Sequence, residues 1–283
     1  MPEENCTPRL AWRGGPTAVV RRLVGLVLAT LLLIVAAQGS AFAAPASWDY
    51  VALGDSLATG FGAFRGYVPR YETHLETDTG AAVTRTNLGQ NGWTSSQLLS
   101  ALRSDPKFRR STRSAEVVTW DIGGNDLRKA RSSYKNKTCG GTDNQDCLRA
   151  AVAKLEGNWD AITAEVLSLR STGNTIVRTM DIYNPYVRTD KASDTWQNDG
   201  GLNDFQVFKT YIDEVNGHIA ATSTANNVPY GRVYLAFNGV GGDEDPGAKG
   251  CLFLDGLHPN DTGHRIIAGE LRKLGYAPLS TLP

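Results

Sequence analysis

Five short runs rich in β-branched and aromatic residues alternate with stretches of helical apolar spacing, and this alternation limits the chain to few folds. The runs are Trp48–Leu53, Val83–Leu88, Glu116–Ile122, Thr175–Asp181 and Arg232–Phe237. Between and after them lie Tyr67–Leu75, Ser96–Leu102, Cys147–Leu169, Phe205–Ala221 and Thr262–Leu274, each with apolar residues recurring at three and four positions. Such a pattern predicts βαβ crossovers, a parallel sheet covered on both faces and one doubly wound α/β domain. In a sheet of this kind, ligands bind beyond the carboxyl ends of the strands, so those loops are where chemistry is to be sought.

The alternation starts only after an N-terminal segment of different character. Arg9, Arg13, Arg21 and Arg22 precede an apolar run, Leu23 to Ala37, and then Ala41-Phe42-Ala43-Ala44 offers small residues at peptidase-readable positions. This layout predicts a secretory signal peptide over residues 1–43, cleaved near Ala43, and an extracellular domain over 44–283 with no membrane span of its own. The whole chain has 29 basic and 29 acidic side chains; residues 44–283 have 25 and 27. A near-neutral, mildly acidic domain lacks the cationic surplus that nucleic-acid binding requires. Outside the cytoplasm a pair of cysteines oxidises readily. Cys139 with Cys147 would close a short polar loop, although Cys251 leaves the other pairings open. None of these cysteines has a neighbour at metal-ligand spacing, so no metal is expected.

Four segments carry distinctive clusters, three of them at strand ends. Gly54-Asp55-Ser56-Leu57 follows the first run and places a hydroxyl at a strand-to-helix turn; read alone, it is equally a capped turn. Asn87-Leu88-Gly89-Gln90-Asn91-Gly92-Trp93 after the second describes a loop whose backbone N–H can approach a ligand. Gly123-Gly124-Asn125-Asp126 after the third brings an uncharged amide donor to the sheet's edge. Near the C-terminus, Asp255 and His258 stand three apart, so the carboxylate can hold Nδ1–H and leave Nε2 as a base. His74, His218 and His264 lie in helical patterns without a carboxylate at such spacing and read as structural or solvated.

Taken together the four clusters resemble the SGNH hydrolases, the Gly-Asp-Ser-Leu esterases and lipases. Gly54-Asp55-Ser56-Leu57 matches the family's first block, Gly92 the glycine of the second, Asn125 the Asn of the third, and Asp255 with His258 the closing Asp-x-x-His. The resemblance implies a three-layer α/β/α domain on a flavodoxin-like five-stranded parallel sheet. It also implies hydrolysis of carboxylic esters through an acyl-enzyme. Ser56 would be the nucleophile, His258 the base and Asp255 its partner, and the backbone N–H of Ser56, that of Gly92 and the side chain of Asn125 would form the oxyanion hole. No cofactor is required. Trp93, Tyr183, Asn184 and Tyr186 are the candidates for contacting the substrate, and Ser132–Cys147 is a candidate lid.

The expected substrate is a lipid or small acyl ester, handled by a monomer. The same chemistry would also permit O-deacetylation of a polysaccharide. A non-catalytic binding protein of this fold would have lost at least one of Ser56, Asn125, Asp255 or His258, and all four are present. The basic run Arg128, Lys129, Arg131, Lys135 and Lys137 and the acidic Asp243-Glu244-Asp245 read chiefly as solvated faces. Trp120 and Trp159 are assigned to packing.

Overall fold

The computed structural model describes residues 45–198 and 200–279, so the expected signal segment lies outside the described residues. Five strands form one sheet: β1 (Ser47–Leu53), β2 (Ala82–Asn87), β3 (Val117–Trp120), β4 (Ile176–Met180) and β5 (Tyr230–Gly231). Every pairing is parallel and the spatial order is β2-β1-β3-β4-β5. Chain progress therefore reverses direction between β1 and β3, and a crevice opens at such a switch point.

Alternation along the strands decides which layer each side chain joins. Val51, Leu53, Val118, Trp120 and Val177 enter one apolar cluster, while Tyr50, Ala52, Val117, Ile176 and Met180 enter the other. β3 and β4 are buried at every position, as expected of central strands in a doubly covered sheet, whereas the edge strand β2 is largely exposed. The first cluster is completed by helices α3 (Ser95–Ser104), α5 (Gly124–Lys135), α6 (Asp146–Leu169) and α8 (Asp204–Asn226). Helices α2 (Tyr67–Thr79) and α10 (Asp261–Lys273) complete the second. Trp120 and Trp159 are fully buried with ring centroids 6.2 Å apart, in the packing role expected of them.

One sequence expectation is corrected. Arg232–Phe237 is not the fifth strand: only Tyr230 and Gly231 pair with β4, and the chain then turns into a short helix, α9 (Val233–Asn238). Val233 and Phe237, four apart and so on one face of the helix, both point into the second cluster. The carboxylate of Asp181, just beyond β4, accepts a 2.7 Å hydrogen bond from the Tyr234 amide and so occupies an open donor of the new helix. Four further helices come from less periodic sequence: α1 (Ser56–Thr59), α4 (Pro106–Ser114), α5 itself and α7 (Val187–Lys191).

Cys139 and Cys147 are joined by a disulfide, and Cys251 is a buried free thiol. Among the described residues no helix is long and apolar enough to cross a membrane, and no cluster of His, Cys, Asp and Glu is arranged to hold a metal ion.

Candidate active site

Ser56 opens α1 directly after β1, at the switch point. Gly54 makes this turn possible, with φ +140°; a Cβ there would stand 2.4 Å from the Asp121 carbonyl oxygen. The amide of Ser56 begins a helix and has no partner among the described residues, while the next amide, that of Leu57, donates to Asp55 Oδ1 at 3.0 Å. The Ser56 side chain is thus presented at the strand's end with a free N–H beside it.

The base arrives from the far end of the chain. Leu252 and Pro259 form an antiparallel bridge, and Phe253 N–H donates to the His258 carbonyl at 2.7 Å, which closes the segment 252–259 into a tight loop. Within it Asp255 Oδ1 accepts from the amides of Leu257 (2.9 Å) and His258 (3.0 Å), and Oδ2 lies 2.6 Å from His258 Nδ1. Burial acts to raise the Asp255 carboxyl, but the hydrogen bonds from the His258 ring and from the two amides outweigh it and hold the pKa below the usual carboxylate value. His258 Nε2 stands 2.9 Å from Ser56 Oγ. An anionic carboxylate, an imidazole and a hydroxyl are therefore in line, over a sequence separation of 202 residues. Tyr183 braces the loop from beyond β4, its hydroxyl donating to the Leu257 carbonyl at 2.6 Å.

The second and third loops are stitched to this turn. Gln90 N–H donates to the Gly54 carbonyl at 3.0 Å, and Asn87 Nδ2 to the Ala58 carbonyl at 2.6 Å. Asp126, at the start of α5, accepts from both the amide and the hydroxyl of Ser95 (2.9 and 2.7 Å) and so fixes the β2–α3 loop against β3. Gly92, at φ +78°, is exposed and its amide has no partner among the described residues. Asn125 is buried, and its Nδ2 donates to the Trp93 carbonyl (2.9 Å) and to Asp55 Oδ2 (3.1 Å), while Arg128 donates to its Oδ1 (3.3 Å).

Beneath the nucleophile two acids sit together. Asp121 Oδ1 accepts the Asp55 amide (3.2 Å) and Oδ2 the Tyr67 hydroxyl (2.6 Å). Burial raises both carboxyls, and the charge of Asp55 raises Asp121 further. Asp55 in turn orders the Leu57 amide and the Asn125 side chain.

A cleft open to solvent, with roughly 680 Å³ of empty space, lies beside Ser56 and His258. Ile122, Leu127, Ile182, Phe208 and Ile212 make its body apolar, and Arg128 stands on its lining. Of the four expected substrate contacts, Tyr183 and Tyr186 line this cleft. Asn184 and Trp93 do not. Asn184 is fully buried and exchanges 2.8 Å hydrogen bonds with Asn238, and the Trp93 ring stacks on Phe108 at 5.6 Å, its carbonyl alone reaching Asn125. No residue of Ser132–Cys147 lines the cleft. The basic run divides: Arg131 pairs with Asp190 and lies 3.8 Å over the Tyr186 ring, Lys135 pairs with Asp204, and Arg128 faces the cleft. Asp243, Glu244 and Asp245 pair with Lys191, Lys249 and Arg188.

The other histidines are held elsewhere. His264 is buried, which lowers its pKa to about 4; the neutral ring accepts the Tyr67 amide at Nδ1 (3.1 Å). His218 does have an acidic neighbour, Asp160 at 2.8 Å, supplied by another helix and invisible to local spacing. Asp55, Asp121 and Asp126 take roles that the sequence reading did not assign, and Arg128, read there within a chiefly solvated run, lines the cleft. The two that adjoin matched motif letters, Asp55 and Asp126, were the ones open to notice.

The sequence model of the GDSL-like lipase/acylhydrolase family matches residues 52–266. The chain is 26% identical over 236 residues to the spore germination lipase LipC of Bacillus licheniformis, covering 82% of this chain and 98% of that one. Among solved structures it is similar to the lipase Lip_vut3 from a goat rumen metagenome, with TM-score 0.67, 24% identity and 82% and 100% of the two chains covered. It is also similar to the acetylxylan esterase Axe2 from Geobacillus stearothermophilus, with TM-score 0.55, 18% identity and 82% and 95% covered. With the family's sequence pattern over most of its length and the fold of its solved members, the chain belongs to the GDSL-like lipase/acylhydrolase family and is a carboxylic ester hydrolase.

Proposed function

We propose that the protein is a secreted serine esterase of lipase type that cleaves acyl esters by a Ser56-His258-Asp255 triad. The observation that carries this reading is the unbroken chain from Asp255 Oδ2 to His258 Nδ1 (2.6 Å) and from His258 Nε2 to Ser56 Oγ (2.9 Å), at the edge of an apolar cleft. His258 takes the Ser56 proton as Oγ attacks the ester carbonyl, and the imidazolium that forms is stabilised by Asp255. Collapse of the tetrahedral intermediate returns that proton to the departing alkoxide. Water then repeats the sequence on the acyl-enzyme with His258 again as base. The free amides of Ser56 and Gly92 supply two oxyanion donors. Asn125 supplies the third: its 2.9 Å bond to Trp93 fixes the amide plane, and the longer 3.1 Å contact with Asp55 is the one an oxyanion competes for.

Asn125→Ala is expected to lower kcat about a hundredfold with a smaller change in KM, because a donor of this kind acts mainly as charge develops. Steady-state kinetics with a p-nitrophenyl ester measures it; unchanged kcat removes Asn125 from the oxyanion hole. Secretion is supported by the signal-like residues 1–43 and the Cys139–Cys147 disulfide. The apolar body of the cleft favours acyl chains over sugars. A panel of p-nitrophenyl esters from acetyl to palmitoyl, run beside acetylated xylan, is expected to show the highest kcat/KM on an ester longer than acetyl. Preference for the acetylated glycan over every acyl ester would overturn the lipase reading.

A further inference from the structure

Two loops beside the triad expose apolar side chains that the mechanism does not use. Phe64 and Leu254 are fully exposed, at 105% and 96%, and Phe61 and Phe253 are about two-fifths exposed, at 45% and 38%. The loops pack on each other: the Phe61 ring lies 6.4 Å from that of Phe253 and 4.6 Å from the His258 ring, and a Cβ at Gly62 would come 3.1 Å from Phe253 Cβ. Asp261 holds the Phe61–Arg65 segment by accepting the amides of Phe64 (3.0 Å) and Arg65 (3.1 Å).

From these contacts we infer that the Phe61–Phe64 and Phe253–Leu254 loops form a docking rim for a lipid surface, the aggregate from which an acyl ester is drawn. The inference rests on the proposed lipase function. Phe61 joins the rim to His258, and His258 lines a cleft whose body is apolar, so an acyl chain leaving an aggregate passes from the apolar rim to the apolar body of the cleft. The carboxylates around the rim are already paired. Asp261 pairs with Arg70 at 2.8 Å, Asp255 with His258, and Arg65 with the Pro69 carbonyl and the Thr73 hydroxyl. Neither carboxylate therefore enters an interface unpaired, and the exposed Arg65, whose partners are neutral, belongs at the head-group level of that interface. The size of the rim also points to lipid. Four side chains, two of them half-covered, present on the order of 500 Å², short of the roughly 800 Å² that each partner of a standard protein interface buries. A bilayer, by contrast, needs only a few inserted side chains, each worth roughly tenfold in partition.

Residues 45–283 form one compact unit containing both apolar clusters, and this unit with Ser56→Ala is the protein to test, so that binding is read without turnover. Co-sedimentation with phosphatidylcholine vesicles is expected to be saturable. The further pair Phe64→Ser and Leu254→Ser should weaken it more than tenfold, while the same pair placed in the active enzyme leaves kcat/KM on soluble p-nitrophenyl butyrate unchanged. Equal sedimentation of both proteins, or no sedimentation of either, overturns the docking rim. So does a dimer in analytical ultracentrifugation that the pair converts to monomer, which would assign the rim to a second copy of the chain. Failure of the wild-type enzyme on every soluble ester would instead count against the proposed function and is read separately.

Discussion

Ser56→Ala is expected to lower kcat/KM for any ester by on the order of 10⁴-fold or more, which is about 5.5 kcal/mol of lost transition-state stabilisation. The size follows from the site. The hydroxyl that would form the acyl-enzyme is gone, and the 2.9 Å contact to His258 Nε2 goes with it. What persists is orientation of the ester in the cleft and the amides aimed at its carbonyl. Folding should be indifferent to the change, because no residue other than His258 is hydrogen-bonded to Ser56 Oγ among the described residues and alanine suits the first turn of a helix. The measurement is therefore paired: initial rates on p-nitrophenyl butyrate and a thermal unfolding curve for each protein. A mutant with wild-type turnover would eliminate Ser56 as nucleophile, and a collapse of Tm would make its activity loss uninformative. In that second case Ser56→Cys, which keeps a nucleophile of similar size, provides the comparison.

How much of this was readable from the chain depends on whether the cause was local. The central strands were legible because Val117-Val118-Thr119-Trp120 and Ile176-Val177-Arg178-Thr179-Met180 are apolar enough to be buried on both faces. The blocks around Ser56, Asn125, Asp255 and His258 were weak one by one, each reading also as a turn or cap, and pointed to a site only as a set in the order of a known family. Val233–Asn238 was misread because its apolar residues are too few to separate the strand period from the helical one; the Asp181 carboxylate that stabilises the helix lies 53 residues away. Asn184 and Trp93 were placed on the cleft from their position after strands, but a loop residue can turn inward, and both do so here. Asp121 shows the same limit. Nothing in Trp120-Asp121-Ile122 says that this acid will be buried under Asp55, where burial first and the neighbouring carboxyl second raise its pKa. The docking rim was illegible for the opposite reason: scattered Phe and Leu residues ordinarily signal core, and only the folded loops reveal which of them face water.

Asp255→Asn tests the other end of the triad by changing charge with little change in shape. In the proposed triad Oδ2, 2.6 Å from His258 Nδ1, takes the Nδ1–H, and Nε2 faces Ser56 Oγ at 2.9 Å as the acceptor. An asparagine that keeps the two amide bonds through its oxygen must turn its NH2 toward Nδ1. The ring then carries its proton on Nε2 and cannot accept one from Ser56. The expected loss in kcat is about 10⁴-fold at neutral pH, with KM little changed. The stability effect has a definite pH window. Because the folded state depresses the Asp255 pKa below its ordinary value of 3.8, the carboxylate contributes stability that is fully present above that value and is lost as pH falls through the lower folded-state pKa. The Tm difference between wild type and Asp255→Asn should accordingly be constant from pH 5 to 7, on the order of a few degrees, and shrink as the pH is taken below 4. A Tm difference that grows toward acid pH would mean that Asp255 is protonated in the folded protein. Wild-type kcat in the mutant would mean that some other group sets the tautomer of His258.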